Sequence, residues 1–125
     1  MAPPLDPCPS SPNCVSTDAP VDDRQHHMPA IPFMIPTHAV VHAIMDVIAE
    51  YPRTRIVSRD THYVHAEFRS RLFRFVDDVE LVVDPVAHVV HFRSASRVGH
   101  SDFGVNRRRM EELSRALHAR IAPRG

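Results

Sequence analysis

Proline and apolar residues divide the chain into an irregular first part and a periodic remainder. Nine of the twelve prolines fall between Pro3 and Pro36, and proline interrupts both helices and central strands. We therefore expect residues 1–36 to form an extended arm, which carries the motif CPSSPNC. Residues 37–125, where apolar residues recur at regular spacing, are expected to form a single α+β domain. Ile31 and Phe33 predict that the second half of the arm packs on this domain.

Two segments repeat apolar residues at the spacing of an α-helix. Thr37 is a candidate N-cap for the first, and Pro52 predicts that this helix ends near Glu50 or Tyr51. Its apolar stripe consists of Val41, Ile44, Met45 and Ile48. The second helix is expected from about Asn106 to Ile121. Its stripe consists of Met110, Leu113, Leu117 and Ile121.

Between the helices lie four segments with the character of β-strands. They are RTRIVSR, HYVHAEFR, RLFRFVDDVELVV and HVVHFRSAS. In the second, Val64, Ala66 and Phe68 share one face, because successive side chains of a strand point to opposite sides. In the third, Asp77 interrupts an apolar face that consists of Phe73, Phe75, Val79, Leu81 and Val83. The connections are short, so we expect a four-stranded antiparallel meander with both helices packed on one face, an α+β fold.

The composition narrows the classes of function. The 125 residues fit one domain, and their formal net charge of zero argues against non-specific nucleic-acid binding, which needs a broad basic surface. No apolar run approaches the ~20 residues needed to cross a bilayer, and the N-terminus lacks the features of a secretory signal. We therefore expect a cytoplasmic protein with no transmembrane segment. The chain has arginine but no lysine, which reflects either base composition or selection for bidentate anion binding.

A hairpin of the third and fourth strands would bring an aspartate beside an arginine. With a loop of residues 84–86, Asp77 faces Arg93, and a loop one residue longer sets Asp78 there instead. Arg97 lies four residues further on, hence on the same face as Arg93. Such a pair either holds the register of the sheet or orients Arg93 in a ligand site.

The stretch RSASRVGHSDFGVNRRRM places the arginines 107–109 at the start of the last helix. A helix N-terminus already carries partial positive charge and unpaired N–H groups. Either these side chains reach acids such as Asp102 or Glu112, or the region binds an anion. Consecutive helical residues point about 100° apart, so the three cannot share one site. Arg109, beside Met110, is expected nearest the interior, the other two are expected in solvent, and Asn106 is a candidate N-cap.

The cysteines and histidines allow other chemistry. Cys8 and Cys14 do not have the CxxC spacing of most zinc and redox sites. We expect free thiols in the cytoplasm, although a small disulfide loop is sterically possible. His38 and His42 have the i, i+4 spacing of metal ligands, but no acid accompanies them as in HExxH. We therefore expect no metal and no cofactor. A catalytic Cys14 would need a histidine and an aspartate brought to it by the fold.

Three stretches, CPSSPNCVST, FVDDVEL and RSASRVGHSDFGVNRRRM, resemble the family catalogued as domain of unknown function 1499, a group of small uncharacterised bacterial and plastid proteins. The resemblance covers most of the chain, from about Cys8 to the last helix. It implies no activity, but it marks the polar residues of these stretches as a shared signature. Thr17 departs mildly from the pattern, because similar proteins often carry serine there.

These observations predict a binding module for a small anionic ligand or lipid headgroup. The expected ligand-binding residues are Arg93, Arg97, Asp77, Asp78, Ser94, Ser96, Asp102, Asn106 and Arg109. The segment SPNCVS is expected to fold back against them, and its accessory residues are Asn13, Cys14 and Ser16. The alternatives are a cysteine-dependent enzyme that uses Cys14, and a protein-interaction module. No catalytic residue is assigned, and no feature of the sequence indicates an oligomeric state.

Overall fold

The backbone of the computed structural model forms one antiparallel sheet and two helices over the residues it describes, 5–71, 75–98 and 104–122. In chain order the elements are β1 (Cys14–Ser16), β2 (Ile31–Pro32), α1 (Thr37–Ala49), β3 (Thr54–Asp60), β4 (Tyr63–Arg69), β5 (Val76–Asp84), β6 (Val89–Ser96) and α2 (Val105–Ile121). The predicted α+β class is therefore confirmed. Within the same ranges, no helix is long and apolar enough to cross a membrane.

The sheet has six strands among the described residues, so the expected four-stranded meander is wrong. Its order is β1-β6-β5-β4-β3, and β2 also pairs with β6. The two additional strands come from the proline-rich segment. Their short length lets them fit between prolines, and the edge position of β2 tolerates Pro32 because an edge residue needs no ladder N–H on its outer side. The N-terminal segment thus joins the sheet instead of preceding it as an arm.

The core lies between the two helices and the sheet face that we call the inner face. Alternation along β4 and β5 buries Val64, Ala66, Val79 and Leu81 there, as the period of two predicts. The helices contribute Val40, Val41, Ile44, Val47, Ile48, Met110, Leu113, Leu117 and Ile121. Phe75 departs from the prediction because β5 begins only at Val76 and leaves this ring 52% exposed. Phe73 lies outside the described residues.

The helix boundaries agree with the predicted spacing, but the predicted caps do not. Thr37 is the first residue of α1, and no side chain among the described residues caps the start of either helix. The turn into α2 is made by Gly104, whose φ of 79° is in the left-handed region that favours glycine. Asn106 is therefore inside the first turn, where it is fully buried.

The β5–β6 hairpin closes later than predicted, and this changes the residues that face each other. Asp84 pairs with Val89, and the loop consists of residues 85–88. The Asp84 carboxylate accepts hydrogen bonds from two loop N–H groups, each at 3.0 Å, and the left-handed φ of 57° at His88 completes the turn. Glu80 therefore faces Arg93, and the predicted pairing of Asp77 or Asp78 with this arginine is wrong.

Candidate functional site

The sheet separates the predicted site residues into two groups. Successive residues of a strand point to opposite faces, so Asp77 is buried on the inner face while Asp78 lies on the other side, the outer face. Each aspartate has its own arginine partner, Arg109 for Asp77 and Arg97 for Asp78. A single ligand cannot contact both aspartates from one side of the sheet.

Arg109 is the centre of the group on the inner face, which we call the inner cluster. Its Nη2 lies 2.8 Å from the Asp77 carboxylate, and the two side chains are 14% and 11% exposed. Its Nη1 donates to Asn106 Oδ1 at 2.9 Å and to Ser94 Oγ at 3.3 Å. The guanidinium also lies 4.9 Å from the centre of the Phe68 ring, a cation–π contact. This arginine is therefore held by partners on four sides.

Asn106 connects this arginine to the N-terminal segment. Its Oδ1 accepts a hydrogen bond from Ser94 Oγ at 2.5 Å, and its Nδ2 donates to Ser96 Oγ at 3.0 Å and to the carbonyl of Asn13 at 3.2 Å. Asn106 and Ser94 are fully buried. A buried amide with such partners holds three distant segments in one arrangement. Asn106 is thus a bridge between segments and not the helix cap that its position predicts.

The group on the outer face, which we call the outer cluster, is organised by Arg97. Its Nε and Nη2 donate to the two oxygens of Asp78 at 2.7 and 2.9 Å, and Nη2 also donates to Glu67 at 2.6 Å. The hydrogen bonds from Arg97 hold the pKa values of the Asp78 and Glu67 carboxyls below their usual range. His65 adds a further contact to Asp78, at 2.8 Å. These carboxylates remain ionised in neutral solution.

Arg93 lies on the outer face beside acids other than those predicted. It faces Glu80 across the hairpin, and its Nη2 donates to the carbonyl of Pro7 at 3.4 Å. Tyr63 donates to the same glutamate at 2.6 Å, and burial together with this carboxylate raises the pKa of the phenol. The Nε of Arg93 is buried and has no hydrogen-bond partner. This arginine therefore belongs to neither cluster.

The N-terminal segment folds back against the site, as the sequence predicts. Cys14 pairs with Ala95, and Ser16 pairs with Arg93. Ser96 also donates its backbone N–H to the carbonyl of Asn13 at 3.0 Å. The three stretches that carry the family resemblance thus meet at one place in the sheet.

The expectation of two free thiols is wrong, because Cys8 and Cys14 form a disulfide. The turn between them brings their Cα atoms to 5.7 Å, within the range that a disulfide spans. Cys14 is fully buried in β1. A thiolate is the nucleophilic form of cysteine, so a Cys14 nucleophile would require prior reduction of this bond.

The three arginines at the start of α2 diverge as helical geometry requires. Arg109 enters the inner cluster, whereas Nη2 of Arg107 donates to the carbonyls of Arg24, Gln25 and His27 at 3.0–3.3 Å. The expectation that Arg107 is only solvated is therefore wrong: it holds a turn of the N-terminal segment. Arg108 points to a third direction and lines a cavity with Arg109.

This cavity, which we call the arginine cavity, has a volume of about 250 Å³ and lies beside the first turn of α2. Its lining includes Arg53, Arg69, Arg108 and Arg109, together with the rings of Tyr51 and Phe68. One of the described lining residues, Glu112, is acidic. Arg109 is the one predicted site residue in this lining. Arg53 and Arg69 were missed because only the pairing of β3 with β4 brings them to the helix.

The remaining predicted residues do not extend the site. Asp102 and Gly99 lie outside the described residues. His38 and His42 line a separate surface depression with Arg59 and Asp60. Over the described ranges, no group of three or more histidine, cysteine, aspartate and glutamate residues could hold a metal ion.

A comparison with models of protein families identifies the family of this chain. The model of a family described as "Protein of unknown function (DUF1499)" matches residues 4–117. The match includes both clusters, the disulfide and the arginine cavity. No curated protein matches the chain.

Proposed function

The chain belongs to the DUF1499 family, whose description assigns no activity, and we propose that this protein binds a small anionic ligand in the arginine cavity. The observation that carries the proposal is that four arginines line one cavity of about 250 Å³, although the guanidinium of Arg69 contacts Glu67 of the outer cluster. Guanidinium groups match the geometry of phosphate and carboxylate, to which they donate paired hydrogen bonds. The volume suits a phosphate, a carboxylate or the phosphate of a larger molecule.

The first turn of α2 supports this proposal. This turn contains no acidic residue. The N-terminus of a helix carries about half a unit of positive charge, which no acid of the turn itself offsets. An anion in the cavity would meet this field together with the arginine side chains. The two effects have the same sign, so they add.

The arginines that line the cavity differ in how far neighbouring carboxylates neutralise their positive charge. Arg109 is neutralised by Asp77, and Arg69 shares the carboxylate of Glu67. Arg53 instead donates to a backbone carbonyl, that of Arg69, at 3.4 Å. Among the described residues no carboxylate lies within ion-pair distance of Arg53. We therefore assign to Arg53 the largest part of the attraction for a ligand.

The two clusters have a supporting role in this proposal. The polar atoms of the inner cluster are hydrogen-bonded to one another and face the core, so they offer a ligand little. They fix Arg109 and the start of α2 against the sheet. The outer cluster fixes the end of β6 in the same way, through Arg97. Most of the predicted ligand-binding residues would thus shape the cavity without contacting its ligand.

Isothermal titration calorimetry with inorganic phosphate and pyrophosphate tests the proposal. We expect saturable binding by the wild-type protein and an affinity lower by about tenfold or more for Arg53→Gln, since one charge-assisted contact contributes about 1.5–3 kcal/mol. Arg59→Gln is the matched control, because it removes the same charge from an exposed position near the other end of β3. Equal affinities of the two variants, or no saturable binding by the wild type, would contradict the proposal.

The enzyme alternative is tested by the chemistry of Cys14. A catalytic Cys14 should react rapidly with iodoacetamide below pH 7, because a lowered pKa maintains the thiolate. We expect instead that neither cysteine is alkylated until a dithiol reductant is added. Rapid alkylation of the untreated protein would favour the enzyme.

A further inference from the structure

The end of the domain where the arginine cavity opens also exposes apolar side chains. β3 and β5 begin at this end, and β4 and β6 finish there, so we call it the cavity end. Phe75 is 52% exposed, and Val98 is 58% exposed. The backbone N–H of Arg97 donates to the carbonyl of Val76 at 3.1 Å. This bond continues the hairpin register, so Val98 follows on beside Phe75.

A third apolar residue lies at the same end. Val105, the first residue of α2, lines the arginine cavity and is 38% exposed. Single exposed apolar residues are ordinary and need no explanation. Three of them at one end of a domain, beside a cavity lined by arginines, form a mixed apolar and cationic surface.

Among the described residues of this surface, exposed arginines outnumber the acids, which include Glu112 and the Glu67 carboxylate that Arg69 contacts. Arg53, Arg69, Arg71 and Arg108 are exposed at or next to the cavity end. Arg71 follows β4 by two residues, so it extends the cationic surface beyond the cavity wall. Because the formal net charge of the chain is zero, this local excess gives the domain a directional field, which would orient it toward a negative surface.

We propose that the cavity end docks on an anionic membrane surface, with a lipid phosphate in the arginine cavity and the side chains of Phe75 and Val98 in the interfacial layer. The inference rests on the proposed anion site and specifies that the anion bound there is the phosphate of a membrane lipid. Aromatic and aliphatic side chains gain free energy at the boundary of headgroups and acyl chains, while arginines attract anionic lipids. Each arginine near such a surface contributes about 1 kcal/mol, so a few of them give weak and reversible binding.

A membrane surface explains this combination better than the other large polyanion, nucleic acid. Backbone binding of nucleic acid depends on extended rows of cations, and the cationic surface here is confined to one end of a neutral domain. Aliphatic residues such as Val98 and Val105 have no stacking surface for single-stranded bases. In the interfacial layer of a bilayer, the same residues are buried favourably.

Sedimentation with phospholipid vesicles tests the inference. The vesicles contain either zwitterionic phosphatidylcholine alone or the same lipid mixed with an anionic phospholipid. We expect the wild-type protein to sediment with the mixed vesicles and to remain in solution with phosphatidylcholine alone. The double variant Phe75→Ser/Val98→Ser should bind the mixed vesicles about tenfold more weakly than the wild type. Unchanged binding would overturn the inference.

Two controls separate this inference from the proposed function. Val86→Ser removes a valine that is 91% exposed at the β5–β6 loop, the opposite end of the sheet, and should leave vesicle binding unchanged. The double variant Phe75→Ser/Val98→Ser should keep the wild-type affinity for inorganic phosphate. Arg53→Gln, in contrast, should lose affinity for both phosphate and vesicles. If the wild type binds phosphate but ignores the mixed vesicles, the membrane inference fails and the anion site stands.

Two further outcomes also decide the matter. If the wild type binds neither phosphate nor vesicles, both proposals fail. If duplex or single-stranded DNA binds more tightly than the mixed vesicles at the same ionic strength, the membrane inference is overturned in favour of a nucleic-acid surface.

Discussion

Arg109→Met should destabilise the protein through the aspartate that it leaves behind. The substitution keeps an unbranched stem but removes the guanidinium partner of Asp77, whose side chain is only 11% exposed. Leaving one member of a buried ion pair uncompensated costs about 3–5 kcal/mol. Because Asp77 retains slight contact with solvent, we expect a loss of about 3 kcal/mol, the lower end of that range.

A double-mutant cycle shows whether the stranded carboxylate causes this loss. Asp77→Val replaces the carboxyl with an apolar group of similar size that suits a strand. In the Arg109→Met background it removes the uncompensated charge, so the double variant should be at least about 1 kcal/mol more stable than Arg109→Met alone. Arg115→Met, an exposed position on the same helix, should change stability by less than about 0.5 kcal/mol.

The free energy of unfolding is measured by urea denaturation, followed by circular dichroism, without reductant so that the disulfide stays intact. Strictly additive effects of the two substitutions would refute the reasoning, because additivity means that the charges do not interact. A loss below about 1 kcal/mol for Arg109→Met would refute it as well, since it would place Asp77 in effective contact with water.

Three other predictions concern the contacts around the site. Asn106→Ala should cost about 1–3 kcal/mol in urea denaturation, because it removes the buried hydrogen bonds that this amide makes with Ser94 Oγ and the Asn13 carbonyl, at about 0.5–1.5 kcal/mol each. Burial lowers the pKa of His26, but its hydrogen bonds to the Ser11 carbonyl and to Asp23 outweigh this and raise it. The contribution of His26 to the free energy of unfolding should therefore be fully present below about pH 6.5, the unfolded-state pKa of histidine. It should be lost as the pH rises through the folded-state pKa. His26→Gln should remove this dependence in thermal denaturation. Cys8→Ser should lower stability by roughly 2 kcal/mol, the loop-closure value for a loop this short, and dithiothreitol should lower the wild type equally.

The location of the protein stays a prediction. A cytoplasmic location is expected from the sequence, but the cytoplasm keeps most thiols reduced. A disulfide between Cys8 and Cys14 forms and persists more readily in an oxidising compartment. Alkylation of the protein in intact cells, followed by mass spectrometry, would report the redox state of this pair directly.

The periodic elements could be predicted because their signals are local. The alternation of Val64, Ala66 and Phe68 places them on the inner face, and α2 begins within one residue of the predicted start. These features follow from the repeat of the backbone itself, which is two residues in a strand and 3.6 in a helix. Nothing far away in the chain can change that repeat.

Contacts between distant residues could not be predicted in the same way. The register of the β5–β6 hairpin depends on the hydrogen bonds that Asp84 makes inside the loop, and a small shift there moves every opposite pair. Arg97 was correctly expected to lie on the same face as Arg93, but its partner is Asp78, and Glu80 faces Arg93 instead. The face of the sheet on which these arginines lie was therefore predicted, while their partners were not.

The amino-acid pattern alone was sufficient for the α+β class, the two helices and the antiparallel pairing of the four long strands. Tertiary structure decided that the proline-rich segment adds two strands to β6, that Asp77 and Asp78 serve opposite faces, and that Arg53 and Arg69 join Arg109 around one cavity. The physical reason is the range of the forces concerned. Backbone geometry and side-chain alternation act within a few residues, whereas strand addition, ion pairing and cavity formation depend on which distant segments the whole fold brings together.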